Sequence, residues 1–349
     1  MNLEISVLFR AIPLMMGAVC LAFGLYILYG GTDANHYVAG HVNIALTAIC
    51  YALFTTAATI IRQLIHRYNA VWQVVLPASG YIVALVTVFW GIALFAQSDL
   101  PEHIVAGHIA FGVGLIAICV STVATASTVF SLIPVSAARD PGSGPPEGAL
   151  SKGVAWQLIA IPLICGAIGF VMTYRLLVRG DAAGYVAGHV LFGLSAICVS
   201  LCALVASIAR QIRNVFSEGE RYAWSWLVII MGTINILLGI YVLISSEQPY
   251  RLAPGIVLIG LGLICYSILS KSLLLALVWR QSFPLASRIP LLPVFTALTC
   301  LFFAAFLFEA ADTNSGFFVP SRVMVGLGAV CFTLFSIVSI LEAGTSGSG

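Results

Sequence analysis

Long apolar stretches separated by short polar segments dominate this chain. A helix needs about 20 apolar residues to cross the hydrocarbon core of a bilayer, and ten stretches are of that order. They cover residues 8–29, 42–61, 72–96, 104–133, 154–178, 186–208, 224–244, 253–279, 290–308 and 319–341. This pattern predicts an all-α integral membrane protein with ten transmembrane helices, in a single transmembrane domain over residues 1–349.

The composition excludes an ordinary soluble protein. Charged residues make up 8% and hydrophobic residues 61% of the 349 positions, whereas soluble domains carry about 25% charged residues. The net charge of +2 is scattered along the chain, and nucleic-acid binding needs a concentrated basic surface. The expected partners are the lipid bilayer and a small ion or metabolite, with no nucleic acid, and an oligomer is compatible with the sequence.

Basic residues are unevenly divided between the two predicted sides of the membrane. Eleven lie on the side of the termini and four on the opposite side, namely Arg175, Arg179, Arg251 and Arg322. Cytoplasmic loops are enriched in Lys and Arg, so this count predicts that both termini are cytoplasmic. The Pro- and Gly-rich segment 134–152 is predicted to be a flexible cytoplasmic linker.

A fivefold internal repeat is the most informative sequence feature. Val-Ala-Gly-His ends at His41, His108 and His189, and a Gly-Leu pair that precedes a cysteine begins at Gly193, Gly260 and Gly326. These anchors align five copies over residues 8–64, 72–133, 154–210, 224–279 and 288–342. Copy two has its similar glycine at Gly114, two residues late, which indicates either an insertion or a chance match.

Each copy is predicted to be a helical hairpin, with the motif at the point where the outer loop enters the second helix. Because all five hairpins enter from the same side, they are parallel repeats related by an axis normal to the membrane. The favoured arrangement is a pseudo-fivefold ring around a central pore. An open, irregular cluster of ten helices remains the alternative.

The repeat contains small residues where membrane helices would pack closely. Seven glycines are the candidates for this role: Gly40, Gly107, Gly188, Gly193, Gly255, Gly260 and Gly326. All nine cysteines lie inside predicted spans without metal-ligand spacing, and we interpret them as packing residues.

The motif histidines are candidate pore-lining or pH-sensing groups. His41, His108 and His189 would stand at the outer mouth with Arg322, whose position in the repeat matches theirs, while Ile256 occupies it in copy four. Histidine changes charge between about pH 5 and pH 8, so acid would make this mouth more positive and favour anions. Alternatively, each histidine bonds a loop carbonyl, and Arg322 snorkels or pairs with an acidic residue.

Two further polar residues fall inside predicted spans. Asn235 lies mid-span, where an amide is expected to bond a neighbouring helix or line a cavity, and we include it among the pore candidates. Lys271 is expected to snorkel to the cytoplasmic interface. Convergence of the imidazoles on a metal or haem is disfavoured because Ile256 and Arg322 break the symmetric set.

No sequence motif of a catalytic centre is present. We therefore expect no catalytic residue, no metal, no cofactor and no enzymatic activity. The leading hypothesis is a pH-modulated channel or transporter of a small ion or metabolite. The competing hypothesis is a non-transporting membrane pH sensor or scaffold that acts through a partner.

The whole chain resembles the YhiM family of enterobacterial inner-membrane proteins. The resemblance rests on the three Val-Ala-Gly-His units and on residues 251–255, 288–290 and 320–342. It implies a multi-pass protein of the bacterial inner membrane that is linked to survival under acid stress. It implies no established activity and provides no site residues.

Overall fold

The computed structural model describes residues 3–64, 69–128, 150–213, 215, 217–245, 248–278 and 291–346. The predicted linker 134–152 falls almost entirely outside these ranges. The described chain forms ten long α-helices, α1 to α10, with the following bounds: Leu3–Gly30, Ala34–Leu64, Ala70–Gln97, Pro101–Thr128, Lys152–Val178, Ala182–Ile212, Glu218–Ile244, Leu252–Val278, Leu291–Ala311 and Phe318–Ser346. Short 3₁₀ turns, Pro249–Arg251 and Ser315–Phe317, precede α8 and α10.

All ten helices are long and apolar enough to cross a membrane. The all-helical, ten-span prediction for a multi-pass membrane protein is therefore confirmed within the described residues. We call the side that holds both chain ends the terminal side, and the side where each odd-numbered helix turns into the next even-numbered one the hairpin side.

The hairpin connections are shorter than the sequence predicts. Helix α2 begins at Ala34 and α6 at Ala182, because Asp33 and Asp181 accept hydrogen bonds from the first free backbone N–H groups. Bonds from the N–H groups of His36 (3.0 Å) and Gly184 (2.6 Å) hold the pKa values of these two carboxyls below their usual range. The Val-Ala-Gly-His units therefore lie within helices, and the prediction that they end a loop was wrong.

Within each hairpin, the two helices pack along their length. In three hairpins a glycine of the first helix faces a motif glycine sixteen residues later: Gly24 with Gly40, Gly91 with Gly107, and Gly239 with Gly255. A Cβ on either glycine of a pair would lie within 3.0 Å of the partner's carbonyl oxygen. A side chain at Gly40, Gly107 or Gly255 would therefore push the two helices of its hairpin apart.

The even-numbered helices form the inside of the protein. Helix α2 packs against α4, α4 against α6, α6 against α8, α8 against α10, and α10 against α2. In these inner helices 72% to 94% of the most apolar window is buried, compared with 28% to 39% in the odd-numbered outer helices. The outer helices expose large apolar side chains, as a lipid-facing surface requires.

Candidate functional site

A cavity of about 240 Å³ lies between the five inner helices at the hairpin side. Each inner helix contributes residues four apart, which share one face of a helix. Three layers of aliphatic side chains result: Val38, Val105, Val186, Ala253 and Val319; then Val42, Ile109, Val190, Val257 and Val323; then Leu46, Val113, Leu194, Leu261 and Leu327. We call this space the vestibule. Its rim carries a few polar groups, including Glu102, Asn35 and Tyr250.

A constriction separates the vestibule from a second cavity of about 20 Å³ on the terminal side. Leu46, Leu194, Leu261 and Leu327 line both cavities, while α4 contributes Val113 to the first and Ile116 to the second. The second cavity is lined entirely by aliphatic side chains of the same five helices. The space between the inner helices is therefore apolar, and it becomes much smaller beyond this layer.

The leucines of the constriction insert against glycines of the neighbouring inner helix. A Cβ on Gly193 would lie 2.6 Å from Leu261 Cδ1, and a Cβ on Gly260 would lie 2.6 Å from Leu327 Cδ1. In the same way, Leu46 packs against Gly326 and Leu194 packs against Gly112. Between α2 and α4 the sequence has Ala45 at the position of the glycine and Val113 at the position of the leucine.

This packing decides how the second hairpin aligns with the others. Gly112, four residues after His108, makes the contact that Gly193 makes four residues after His189. Gly114 packs instead against Val88 of α3. These contacts favour a chance match at Gly114 and Cys119 over an insertion in the second hairpin.

The motif histidines lie beside the vestibule wall and are absent from its lining. In each, Nδ1 donates to the carbonyl four residues earlier: His41 to Tyr37 (2.8 Å), His108 to Ile104 (2.7 Å) and His189 to Tyr185 (2.8 Å). Aromatic rings cover them. The ring centroid of His41 lies 4.1 Å from Tyr37 and 5.5 Å from Trp90, and that of His108 lies 4.3 Å from Phe95.

Arg322 of α10 also lies beside the vestibule wall, like the motif histidines. Its guanidinium carbon lies 3.6 Å from the ring centroid of Phe318 and 4.4 Å from that of Phe308. Nη1 donates to Ser321 Oγ at 2.9 Å. In the described part of the chain Arg322 forms no salt bridge with Glu309 or Asp312, and it is not among the residues that line the vestibule.

Asn235 is fully buried between helices. Its Nδ2 donates to the carbonyl of Gly193 on α6 (3.3 Å), which is one of the two roles expected for it. It does not line either cavity. Asn43 makes a comparable bond, in which its Nδ2 on α2 donates to the Arg322 carbonyl of α10 (3.3 Å).

Lys271 departs from its expected position. Its side chain is 2% exposed, whereas a lysine that snorkels to the interface would keep its ammonium in water. The prediction of snorkelling was wrong because Lys271 is covered by protein.

The nine cysteines are all buried and reduced. Cys50, Cys198 and Cys265 pack toward outer helices, with Cβ atoms 3.3, 3.6 and 3.2 Å from the Cβ positions that Gly17, Gly166 and Gly232 would have. None of the three lines a cavity. This geometry agrees with the interpretation of the cysteines as helix-packing residues.

We expect the native cysteines to resist a small, water-soluble thiol reagent in the folded protein, because each is removed from the cavities and from solvent. Val190→Cys in the vestibule is expected to react, and Ile197→Cys beyond the constriction to react much more slowly. Mass spectrometry of labelled protein in detergent measures both rates. Equal labelling of Cys198 and Val190→Cys would contradict the assignment of the vestibule face.

Two comparisons identify relatives of the chain. Residues 1–346 match a family described as "Protein of unknown function (DUF2776)". The curated "Inner membrane protein YhiM" of Escherichia coli (strain K12) is 53% identical over 348 residues, covering 99% of both chains. The resemblance predicted from the sequence is thereby confirmed, and the chain belongs to this family.

Proposed function

We propose that this protein is a channel or transporter of a small ion or metabolite, with its path along the axis between the five inner helices. The observation that carries the proposal is the pair of cavities on this axis, lined by corresponding positions of all five inner helices. In this proposal the five hairpins are parallel repeats in a pseudo-fivefold ring. No catalytic step and no cofactor are part of it.

We place the protein in the bacterial inner membrane with both termini in the cytoplasm. The name of the E. coli relative supports the location, and the excess of basic residues on the terminal side supports the orientation. The vestibule then opens to the periplasm and the second cavity faces the cytoplasm.

The state described here corresponds to a closed path. A narrow ring of aliphatic side chains keeps water out, and ions do not cross a dry segment, so such constrictions act as gates. Opening requires the inner helices to turn or separate at the layer of Leu46, Val113, Leu194, Leu261 and Leu327. The small residues that face these side chains allow such a displacement without a backbone collision.

We propose that the three motif histidines make this gate sensitive to pH. Each directly precedes a residue that lines the vestibule, namely Val42, Ile109 or Val190. With Nδ1 bonded to a carbonyl, protonation takes place at Nε2, and it puts a charge among aromatic rings at the boundary between helices. The protonated histidines would then change the gate by shifting the inner helices relative to their neighbours. The implied link to acid stress belongs to this part of the proposal.

Flux through the purified protein in liposomes tests the proposal. We expect chloride, potassium or a small organic acid to cross faster when the outside is moved from about pH 7.5 to about pH 5, the interval in which histidine titrates. Replacing His41, His108 and His189 by Gln is expected to abolish the acid response. His36→Gln is the matched control, because His36 pairs with Asp33 in the hairpin turn.

The competing function is a membrane pH sensor or scaffold that acts through a partner. The closed, entirely aliphatic constriction favours it, because no polar group there would replace the hydration shell of an ion. Absence of flux at both pH values, together with an acid-dependent partner recovered on the wild type and lost on the triple Gln variant, would support this function and reject the channel.

A further inference from the structure

Lys271 is an unusual residue to find inside this bundle. It is one of two lysines in the chain, and the other, Lys152, is exposed at the start of α5. The Lys271 side chain is 2% exposed on an inner helix. A buried ammonium loses its hydration, so the amine either gives up its proton or keeps it with the help of a counter-charge and hydrogen-bond acceptors.

The register of α8 places Lys271 on the axis side. Leu261, Ile264 and Ile268 line the second cavity, and Lys271 continues their spacing of three and four residues, which keeps side chains on one helix face. The corresponding position on α2 is Thr56, which is fully buried and whose Oγ1 lies 3.5 Å from the Val120 carbonyl of α4. Lys271 therefore lies about one turn beyond the second cavity, toward the terminal side.

No protein group neutralises this ammonium in the part of the chain that the structure describes. None of the salt bridges between the described residues involves Lys271. Among inner-helix side chains that are described, the single carboxylate is Glu102, at the hairpin-side rim. Glu102 and Lys271 are separated by roughly 21 helical positions along the axis, or about 30 Å, which is too far for pairing.

We propose that Lys271 is the binding site for a small monovalent anion on the terminal side of the constriction. The inference rests on the proposed conduction path and names its substrate class. An anion supplies the missing counter-charge and accepts hydrogen bonds from the three ammonium protons. The aliphatic surroundings strengthen the attraction, because little water screens it, and the narrow path limits the anion to the size of chloride or formate.

Thermal unfolding of the full-length protein in detergent tests the site without measuring transport. At constant ionic strength, sodium chloride and sodium formate are each exchanged against sodium gluconate, whose anion is large. We expect Tm of the wild type to rise with chloride or formate concentration, because a ligand that binds only the folded state stabilises it. Lys271→Met is expected to lose this rise, and Lys152→Met to keep it.

Methionine is close to lysine in length, and removal of an unpaired buried charge is often neutral or stabilising, so the variant should fold. Equal anion responses of wild type and Lys271→Met, or no response of the wild type, would overturn the proposal. If Lys271→Met does not fold, Lys271→Arg replaces it. The anion concentration that gives half of the maximal rise in Tm is then expected to differ between Lys271→Arg and the wild type. An unchanged concentration would overturn the site.

Flux measurements separate failure of the site from failure of the channel. A chloride response that depends on Lys271, with no ion flux even after the constriction is widened, would keep the anion site and reject the channel. Flux through a widened constriction that prefers potassium over chloride, with or without Lys271, would keep the channel and reject the anion site.

Discussion

The double substitution Leu194→Ser and Leu261→Ser is expected to convert the closed protein into an ion-conducting pore. Both leucines line the vestibule and the second cavity, so in the proposed path they form part of the layer that excludes water. Serine is shorter and binds water, which lowers the dewetting barrier. We expect ion flux in liposomes to rise at least about tenfold at neutral pH, equivalent to a barrier lower by about 1.4 kcal/mol.

The matched control changes two leucines that face lipid. Leu163 and Leu298 are 53% and 61% exposed on outer helices, so Leu163→Ser with Leu298→Ser makes the same chemical change away from the axis. This control is expected to leave flux unchanged. A folded Leu194→Ser/Leu261→Ser protein that conducts no better than wild type would show that the axis is not a conduction path.

Gly91→Ala is expected to prevent stable folding of the second hairpin. The new Cβ would lie 2.4 Å from the Phe111 backbone nitrogen and 2.7 Å from the Gly107 carbonyl oxygen. A change of rotamer cannot relieve contacts with backbone, so α3 and α4 must separate along their length. Overpacking of a core typically lowers the free energy of unfolding by about 1–3 kcal/mol. We expect a backbone collision between two helices to lower it by about 3 kcal/mol or more. Thermal unfolding and the yield of monodisperse protein in detergent measure the effect.

Gly153→Ala provides the same substitution where space is available. A Cβ at Gly153 would have no neighbour within 4 Å, and alanine favours a helix over glycine by about 1 kcal/mol. Gly153→Ala is thus expected to be neutral or slightly stabilising. Similar stabilities for the two alanine variants would mean that Gly91 and Gly107 do not approach as closely as described.

The ten helices are predictable from the sequence because lipid imposes a length and a composition that hydropathy detects directly. The helix starts are less predictable. The caps at Asp33 and Asp181 extend α2 and α6 beyond the apolar stretch, and hydropathy does not detect a polar first turn. For this reason the motif histidines lie deeper in their helices than the sequence predicts.

The direction of each side chain around an inner helix is the part that sequence reasoning missed. Helices α4 and α6 are buried on nearly all sides, so no contrast between a buried and an exposed face identifies the axis. Repetition aligns His41, His108 and His189 with one another, but adjacent residues of a helix point about 100° apart. The axis-facing residues are therefore the next ones, Val42, Ile109 and Val190.

One sequence signal could have found this face. In every repeat a branched residue follows the position of the motif histidine, which is Ile256 in copy four and Arg322 in copy five. Four residues after this branched residue comes a leucine or valine, directly preceded by a glycine or alanine. A search for corresponding aliphatic positions across the five copies would have separated the vestibule from the flank. It would also have placed Lys271 on the inner face, because it continues the same spacing.

The insertion of leucine against glycine has a direction that the individual contacts do not reveal. Leu194 packs against a glycine of α4, Leu261 against one of α6, Leu327 against one of α8 and Leu46 against one of α10. At these four contacts, the leucine of one hairpin packs on the hairpin that precedes it around the axis. Rotation of one inner helix withdraws its own leucine and also moves the glycine that holds the next one. In the proposed channel, opening at one of these contacts would therefore be coupled to the neighbouring inner helices.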